Sequence, residues 1–224
     1  MNDLDKAFSF PFKDPAWVSK FLLGSVSMML CIFVIGFFIL AGYFVQVTQR
    51  VMRRESNPLP EWDDIGVKLV VGFKYCVVHL VYILPIILLY IPFFVLIILS
   101  EVAGPDEMGI AFAGISVVLL VILFLVVVPY GFALTAVSPI IAYRFALHES
   151  IGEALDVGTI LRSFKRNWQN AAIVALIAVG IQSFAGIGIV VFLVGVFFTI
   201  FYSCLVSAYM YGALYLQSAH EDQA

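Results

Sequence analysis

An all-α, polytopic transmembrane helical bundle with cytoplasmic amphipathic helices is expected from three properties of the sequence. The 224-residue chain is 63% hydrophobic and only 12% charged, whereas soluble domains carry about 25% charged residues. Its mean hydropathy is +1.07. Lys, Arg, Asp and Glu are absent from four long stretches, residues 21–49, 75–100, 108–143 and 167–219. Each stretch exceeds the roughly 20 apolar residues that a helix needs to cross a bilayer.

Residues 1–224 are interpreted as a single multi-pass membrane domain with two amphipathic segments, residues 61–74 and 150–166. The strands of a transmembrane barrel would alternate apolar and polar residues over about 10 positions. Residues 117–128 show no such alternation. The first 20 residues mix charges with aromatic side chains, which is not the pattern of a cleavable signal peptide.

The first apolar stretch, residues 21–49, is open to two interpretations. As one helix it would be about 44 Å long, which exceeds a hydrocarbon core of roughly 30 Å unless the helix is tilted. A single crossing would place the amino terminus outside the cell. A hairpin that turns near Ile35-Gly36 would keep the amino terminus in the cytoplasm, and the distribution of basic residues favours this alternative.

The twelve basic residues predict the orientation in the cell membrane. They form three clusters: Lys6, Lys13 and Lys20; Arg50, Arg53, Arg54, Lys68 and Lys74; and Arg144, Arg162, Lys165 and Arg166. The loop at residues 101–107 carries only acidic charges. Because basic loops stay on the cytoplasmic side, the second and third clusters are expected inside and the acidic loop outside.

The last apolar stretch, residues 167–219, is long enough to cross the membrane twice. Gly186-Ile187-Gly188 is the expected turn, because glycine adopts backbone conformations that other residues resist. Two crossings return the carboxyl terminus to the cytoplasm.

Three tryptophans mark the expected membrane interfaces, because the amphipathic indole ring favours the headgroup region. They are Trp17, Trp62 and Trp168. Asp14-Pro15, just before Trp17, is expected to cap the first membrane helix.

The acidic residues Glu61, Asp63 and Asp64 are expected in the first turn of the helix that enters the second span. Negative charge there complements the helix dipole. A divalent cation is the alternative partner for three carboxylates, but the spacing is not that of an EF-hand loop. No metal ligand is therefore assigned.

Residues 150–166 are interpreted as an amphipathic helix on the cytoplasmic membrane surface. Ser150 and Glu153 have the spacing of a capping box. An apolar face runs along the helix, and three basic residues, Arg162, Lys165 and Arg166, lie near its end. This combination favours anchoring to anionic lipid headgroups. Docking to a protein partner is the alternative.

Four residues inside the apolar stretches are candidate functional positions. His79 is titratable, and such residues within the membrane are often functional. A proton relay would also need an embedded carboxylate, and the four stretches contain none. Pro85, Pro92 and Pro129 would kink their helices, as in transporters with broken helices. Proline is also commoner in membrane helices than in soluble ones, which favours kinked packing over a substrate site.

Catalytic motifs and cofactor-binding motifs are missing. The sequence has no G-x-S-x-G elbow, no H-E-x-x-H pair and no P-loop. Cys31, Cys76 and Cys204 lie within apolar stretches without the spacing of a metal site. We therefore expect neither catalytic residues nor a cofactor, and the chain is not expected to be an enzyme.

A pattern in the first half of the chain resembles a known family. The pattern consists of Gly42-Tyr43, Arg50, Leu59-Pro60-Glu61-Trp62-Asp63-Asp64, Gly72 and Tyr82-x-x-Pro85. It is similar to a widespread prokaryotic family of integral membrane proteins classed only as a domain of unknown function, with the pattern G-Y…R…L-P-x-W-D. The chain also loosely resembles the membrane domains attached to some glycerophosphodiesterases. The resemblance implies a small multi-pass protein and transfers no catalytic residue.

Two functions remain open on the sequence alone. The first is a non-enzymatic scaffold or accessory component of the cell envelope, with the lipid bilayer and a membrane-protein partner or a second copy as its contacts. The second is a small-molecule permease or channel that uses the proline kinks. Nucleic acid is not an expected partner, since the few basic residues flank membrane spans.

Overall fold

The computed structural model describes residues 2–185 and 195–221. These residues form α-helices, two short 3₁₀ turns and no strand, which confirms the all-α fold. The helices are α1 (Asn2–Ser9), α2 (Trp17–Met29), α3 (Ile35–Met52), α4 (Ile65–Ala103), α5 (Glu107–His148), α6 (Ile151–Ala154), α7 (Val157–Arg166), α8 (Trp168–Ala185) and α9 (Gly195–Glu221).

Four of the described helices are long and apolar enough to cross a membrane, which confirms a multi-pass membrane protein. They are α3, α4, α5 and, within α9, Gly195–Ala219. A shorter apolar helix, Trp168–Ser183, lies within α8. The predicted turn at Gly186-Ile187-Gly188 lies outside the described residues.

The first apolar stretch folds as two helices that pack against each other, α2 and α3. A 3₁₀ turn at Leu30–Phe33 separates them, and the backbone reverses at Val34, whose φ is 65°. The turn therefore comes just before the predicted Ile35-Gly36 position. With 13 residues, α2 is about 20 Å long, which is shorter than a hydrocarbon core. This geometry corresponds to the hairpin and not to a single crossing.

The chain divides into two compact units, and the larger one comprises Met1–Val78 and Ala136–Ala224. Its core lies between α3 and α9, around side chains that are almost fully buried, such as Tyr43, Val47 and Leu205. Thr48 Oγ1 donates a hydrogen bond to the carbonyl oxygen of Ala208, at 3.2 Å. The core also buries residues that precede the first membrane helix, including Phe10.

Helices α3 and α4 cross at two glycines. A Cβ atom at Gly42 would overlap the backbone carbonyl of Lys68, and a Cβ atom at Gly72 would overlap that of Phe38. Only glycine leaves room for two backbones to approach this closely, as in other membrane helix pairs. The crossing sets the geometry of the segment that joins α3 to α4.

The smaller unit, His79–Thr135, is called the apolar hairpin below. Its turn contains Gly104, whose φ of 71° suits glycine. Ser100 Oγ donates to the Gly109 carbonyl at 3.1 Å, and Tyr130 Oη donates to the Tyr82 carbonyl at 2.6 Å. These bonds tie the two arms of the hairpin together.

The predicted start of the helix that enters the second span differs from the structure. Helix α4 begins at Ile65, so Glu61, Asp63 and Asp64 precede it and do not form its first turn. Asp64, whose φ is 49°, has a left-handed conformation that the interior of an α-helix does not contain, so the helix starts after it. The predicted position of these carboxylates in the first helical turn is therefore wrong.

The amphipathic segment 150–166 is two helices, not one. Ser150 stands at the N-cap of α6 without a side-chain capping bond, so the predicted capping box is wrong. Helix α6 ends at Ala154, with Leu155 as its C-cap. Asp156 then caps α7, its Oδ1 accepting a hydrogen bond from the Thr159 backbone N–H at 3.1 Å. The basic end of α7 is retained as predicted.

Candidate functional site

A buried lysine forms the centre of a polar cluster at the start of α2. Lys20 is only 2% exposed. Its Nζ lies 2.7 Å from Asp14 Oδ2, 2.6 Å from Glu61 Oε1 and 3.2 Å from the Leu59 carbonyl oxygen. An ammonium group has three N–H donors, so these three acceptors match its full capacity. We call Asp14, Lys20, Asn57, Glu61 and the Leu59 carbonyl the Lys20 cluster.

Asp14 is also buried, at 4% exposure, and every bond it makes favours its charged form. Oδ1 accepts from the Ala16 backbone N–H at 2.7 Å, and Oδ2 accepts from Asn57 Nδ2 at 2.8 Å. Burial raises the pKa of Asp14, but the bonds from Lys20, Ala16 and Asn57 outweigh it and hold the pKa below its usual value. Asp14 therefore fastens the start of α2 and does not stand at its N-cap, which is Ala16.

Three further side chains connect the loop of the Lys20 cluster to the helices: Tyr43 and Arg50 on α3 bond the loop, and Trp62 of the loop bonds α2. Tyr43 Oη donates to the Pro60 carbonyl at 3.1 Å, and Arg50 Nη1 donates to the Leu59 carbonyl at 3.1 Å. Trp62 Nε1 donates to the Lys20 carbonyl at 3.1 Å. The Trp62 and Tyr43 rings stack with their centres 4.5 Å apart. The loop before α4 is thus fastened to both arms of the first helical hairpin.

The residues of the G-Y…R…L-P-x-W-D pattern meet in space at this place. Gly42 lets α4 approach α3, while Tyr43 and Arg50 on α3 reach the loop carbonyls. Leu59 itself is fully buried. The residues of the pattern therefore hold the loop before α4 against α3, through buried hydrogen-bond donors that have acceptors. An arrangement of this kind holds elements in place and offers no activated nucleophile.

The acidic residues of this loop face lysines and not one another. Glu61 pairs with Lys20, and Asp63 lies beside Lys68, whose Nζ donates to the Asp63 carbonyl at 2.6 Å. Lys68 Nζ is 3.9 Å from Asp63 Oδ1. Among the residues that the structure describes, no group of three His, Cys, Asp or Glu side chains could hold a metal ion.

Two of the positions singled out from the sequence adjoin the Lys20 cluster: Trp62, and Trp17, whose backbone N–H donates to the Asp14 carbonyl at 3.1 Å. Trp62 is half-buried within the arrangement just described. Trp17 packs edge-on against Phe12 and Phe21, and Trp168 is exposed at the start of α8. The others lie in the apolar hairpin: His79, Pro85, Pro92 and Pro129. The three prolines are exposed, and the helices α4 and α5 continue through them without a break.

Sequence reasoning missed Asp14, Lys20 and Lys68 as buried charges. A signal was present, because Lys20 directly precedes an apolar stretch and acidic residues occur on both sides of it along the chain. The pairing with Leu59 and Glu61 spans about 40 residues of sequence, and helical periodicity carries no information over that distance.

Two cavities lie in the larger unit. One, of about 450 Å³, has Lys6, Arg54 and Gln217 among its lining residues. The other, of about 480 Å³, lies between α8 and α9 and is lined mostly by apolar groups such as Ile177 and Ile181. Neither cavity is lined by His79 or the three prolines.

One family model matches the chain, over residues 25–200. No curated protein and no solved structure gives a significant match. The looser likeness to glycerophosphodiesterase membrane domains remains a prediction. Since the match covers more than half of the chain, the chain belongs to the family described as "Protein of unknown function (DUF4013)".

Proposed function

We propose that this protein is a non-enzymatic scaffold or accessory component of the cell envelope that binds other membrane helices through its apolar hairpin. The proposal depends on one observation, the exposure of the hairpin helices. None of the most apolar 18-residue window of α4 is buried, and 11% of that of α5 is buried. Phe132, for example, is 73% exposed.

Two open glycines support helix binding in addition to lipid contact. A Cβ atom at Gly114 or Gly131 would meet nothing within 4 Å, whereas at Gly42 it would meet a backbone carbonyl. Glycines let membrane helices approach closely, and membrane helices associate by such packing because lipid is as apolar as they are. Gly114 and Gly131 therefore suit the close approach of a further helix.

A small-molecule permease or channel stays the alternative. Such a protein needs groups that face a path across the membrane, often at broken helices. Pro85, Pro92 and Pro129 lie exposed in uninterrupted helices, and His79 has no embedded carboxylate beside it in the sequence. These observations favour the scaffold.

The scaffold proposal predicts a complex that depends on Gly114 and Gly131. The tagged protein, extracted in mild detergent, should co-purify with one partner or a second copy in a fixed ratio. Gly114→Leu with Gly131→Leu should reduce that co-purification at least tenfold, because a bulky side chain keeps the partner helix away. Mass measurement of the purified complex gives the ratio.

The matched control is Gly66→Leu, since Gly66 is equally open but lies outside the hairpin. It should co-purify like the unaltered protein. A monomer without partners that carries a substrate across liposome membranes would contradict the scaffold and support the permease.

We also propose an orientation of the chain in the membrane. The basic clusters place residues near Arg53 and Lys165 in the cytoplasm and the loop near Asp106 outside. After replacement of the native cysteines, a new cysteine near Asp106 should react with a membrane-impermeant reagent in intact cells. Cysteines near Asp3, Arg53 and Lys165 should stay protected. The reverse pattern would overturn the assignment based on charge.

A further inference from the structure

The cavity of about 450 Å³ in the larger unit combines a charged rim with an apolar floor. Lys6, Arg54, Glu55 and Gln217 supply the polar groups, and Val51 and Leu216 are among its apolar residues. Its volume falls within the range of small-molecule sites, roughly 300–1,000 Å³. We call it the rim pocket. It is separate from the Lys20 cluster and shares no lining residue with it.

The rim pocket lies where two apolar stretches end. The stretch that contains α3 loses its apolar character after residue 49, and the stretch that contains α9 does so after residue 219. The pocket is lined by four residues just after the first stretch and four near the end of the second, together with Lys6: Val51, Arg54, Glu55 and Pro58, and Tyr209, Ala213, Leu216 and Gln217. Apolar and charged groups therefore meet in the rim pocket at the boundary between hydrocarbon and water, on whichever side of the membrane the pocket lies.

The charges of the rim favour an anion. Among the lining residues that the structure describes, Lys6 and Arg54 are cationic and Glu55 carries a carboxylate. Arg50 Nε lies 3.6 Å from Glu55 Oε2, so an arginine at the same edge offsets that negative charge. Arginine and lysine are the side chains that most often bind phosphate groups in proteins. Gln217 adds an amide that can donate to a further oxygen.

We propose that the rim pocket binds the phosphate of an anionic phospholipid headgroup. Lys6 and Arg54 pair with the phosphate oxygens, and the glycerol and upper acyl carbons lie against Val51 and Leu216. Free phosphate shares the charged part of this chemistry but cannot use the apolar floor. A lipid should therefore bind more tightly than the free ion.

The test uses the full-length protein in non-ionic detergent, with the midpoint of thermal unfolding measured against added phosphatidylglycerol, phosphatidylcholine or inorganic phosphate. Phosphatidylglycerol should raise the midpoint at the lowest concentration. Each cation near an anionic headgroup contributes about 1 kcal/mol, so Lys6→Ala with Arg54→Gln should weaken phosphatidylglycerol binding up to about 25-fold. The preference over phosphatidylcholine should also fall as salt is added.

The control pair is Lys13→Ala with Arg53→Gln, which removes the same charge from exposed positions that do not line the pocket. It should leave binding within about twofold of the unaltered protein. The proposal would be overturned if the two pairs of substitutions weakened phosphatidylglycerol binding equally. It would also be overturned if the unaltered protein showed no preference for phosphatidylglycerol that falls as salt is added. Equal stabilisation by inorganic phosphate would show that the site takes the free ion and contradict the lipid assignment. Thermal unfolding measured without lipid shows whether a variant folds. If a variant does not fold, the salt dependence of the preference of the unaltered protein for phosphatidylglycerol tests the proposal instead.

Discussion

Replacing Lys20 with methionine is expected to lower the free energy of unfolding by about 3–5 kcal/mol, the usual result of removing one partner from a buried ion pair. The substitution leaves Asp14 buried and charged without its ammonium partner at 2.7 Å. It also removes the donor to the Leu59 carbonyl and so loosens the loop that precedes α4. Methionine keeps the length of the lysine side chain, so the loss measures charge and hydrogen bonds more than packing.

Unfolding of the full-length protein in detergent micelles measures this loss. Lys13→Met is the control, because Lys13 is an exposed lysine of the same amino-terminal segment, and surface charges contribute about 0–1 kcal/mol. Adding Asp14→Leu to Lys20→Met should restore part of the loss, since an apolar pair in place of a buried ion pair is often neutral. A loss below 1 kcal/mol for Lys20→Met would show that the Lys20 cluster does not fasten the loop.

The same pair makes stability depend on pH in a stated direction. The pKa of Asp14 is lowered in the folded protein, so its contribution is present above the ordinary aspartate pKa and is lost as the pH falls through the folded value. Burial lowers the pKa of Lys20, but the hydrogen bonds that it donates to Asp14 and Glu61 outweigh this effect, and the net shift of the pKa is upward. Its contribution is therefore present below the ordinary lysine pKa and is lost only as the pH rises through the folded value. The contribution of the Asp14–Lys20 pair to the free energy of unfolding should therefore not change with pH between the ordinary aspartate pKa and the ordinary lysine pKa.

The spans could be predicted from the sequence because membrane insertion is a local property. A run of 20 or more residues without charge can satisfy its backbone in lipid only as a helix. This is why α3, α4, α5 and α9 were expected. The hairpin of the first stretch was favoured only indirectly, by the charges that flank it. The glycine of Ile35-Gly36 located its turn to within two residues of Val34, and a Cβ atom at Gly36 would overlap the Ser27 carbonyl oxygen.

The Lys20 cluster could not be predicted because its members act over long separations in the chain. From the sequence alone, Lys20 is one of the basic residues that predict the orientation in the membrane, and Trp62 is one of the interfacial tryptophans. The structure instead places both in one network with Tyr43 and the carbonyls of residues 59 and 60. The start of α4 was misplaced for the same reason. The acidic residues suited a helix terminus locally, but Glu61 and Asp63 pair with lysines and Asp64 has a positive φ, so the helix begins only at Ile65.

The second large effect is expected at the crossing of α3 and α4. Gly42→Ala should lower the free energy of unfolding by about 2–4 kcal/mol, at the upper end of what overpacking costs. The added Cβ would overlap the Lys68 backbone carbonyl, which cannot rotate away as a side chain can. The helices must therefore separate, and the bonds of Tyr43 and Arg50 to the adjoining loop weaken with them. Gly72→Ala should behave alike, because its Cβ would overlap the Phe38 carbonyl.

Gly180→Ala separates this steric effect from the intrinsic preference of a helix. Gly180 lies within α8 in the same unit, and a Cβ atom there would meet nothing within 4 Å. Alanine is favoured over glycine in a helix interior by about 0.5–1 kcal/mol, so this variant should be as stable as the unaltered protein or more stable. The sign of the change in unfolding free energy therefore distinguishes the two positions. If Gly42→Ala also stabilised the protein, α3 and α4 would not cross as closely as these glycines require, and the fastening of the loop by Tyr43 and Arg50 would need a different geometry.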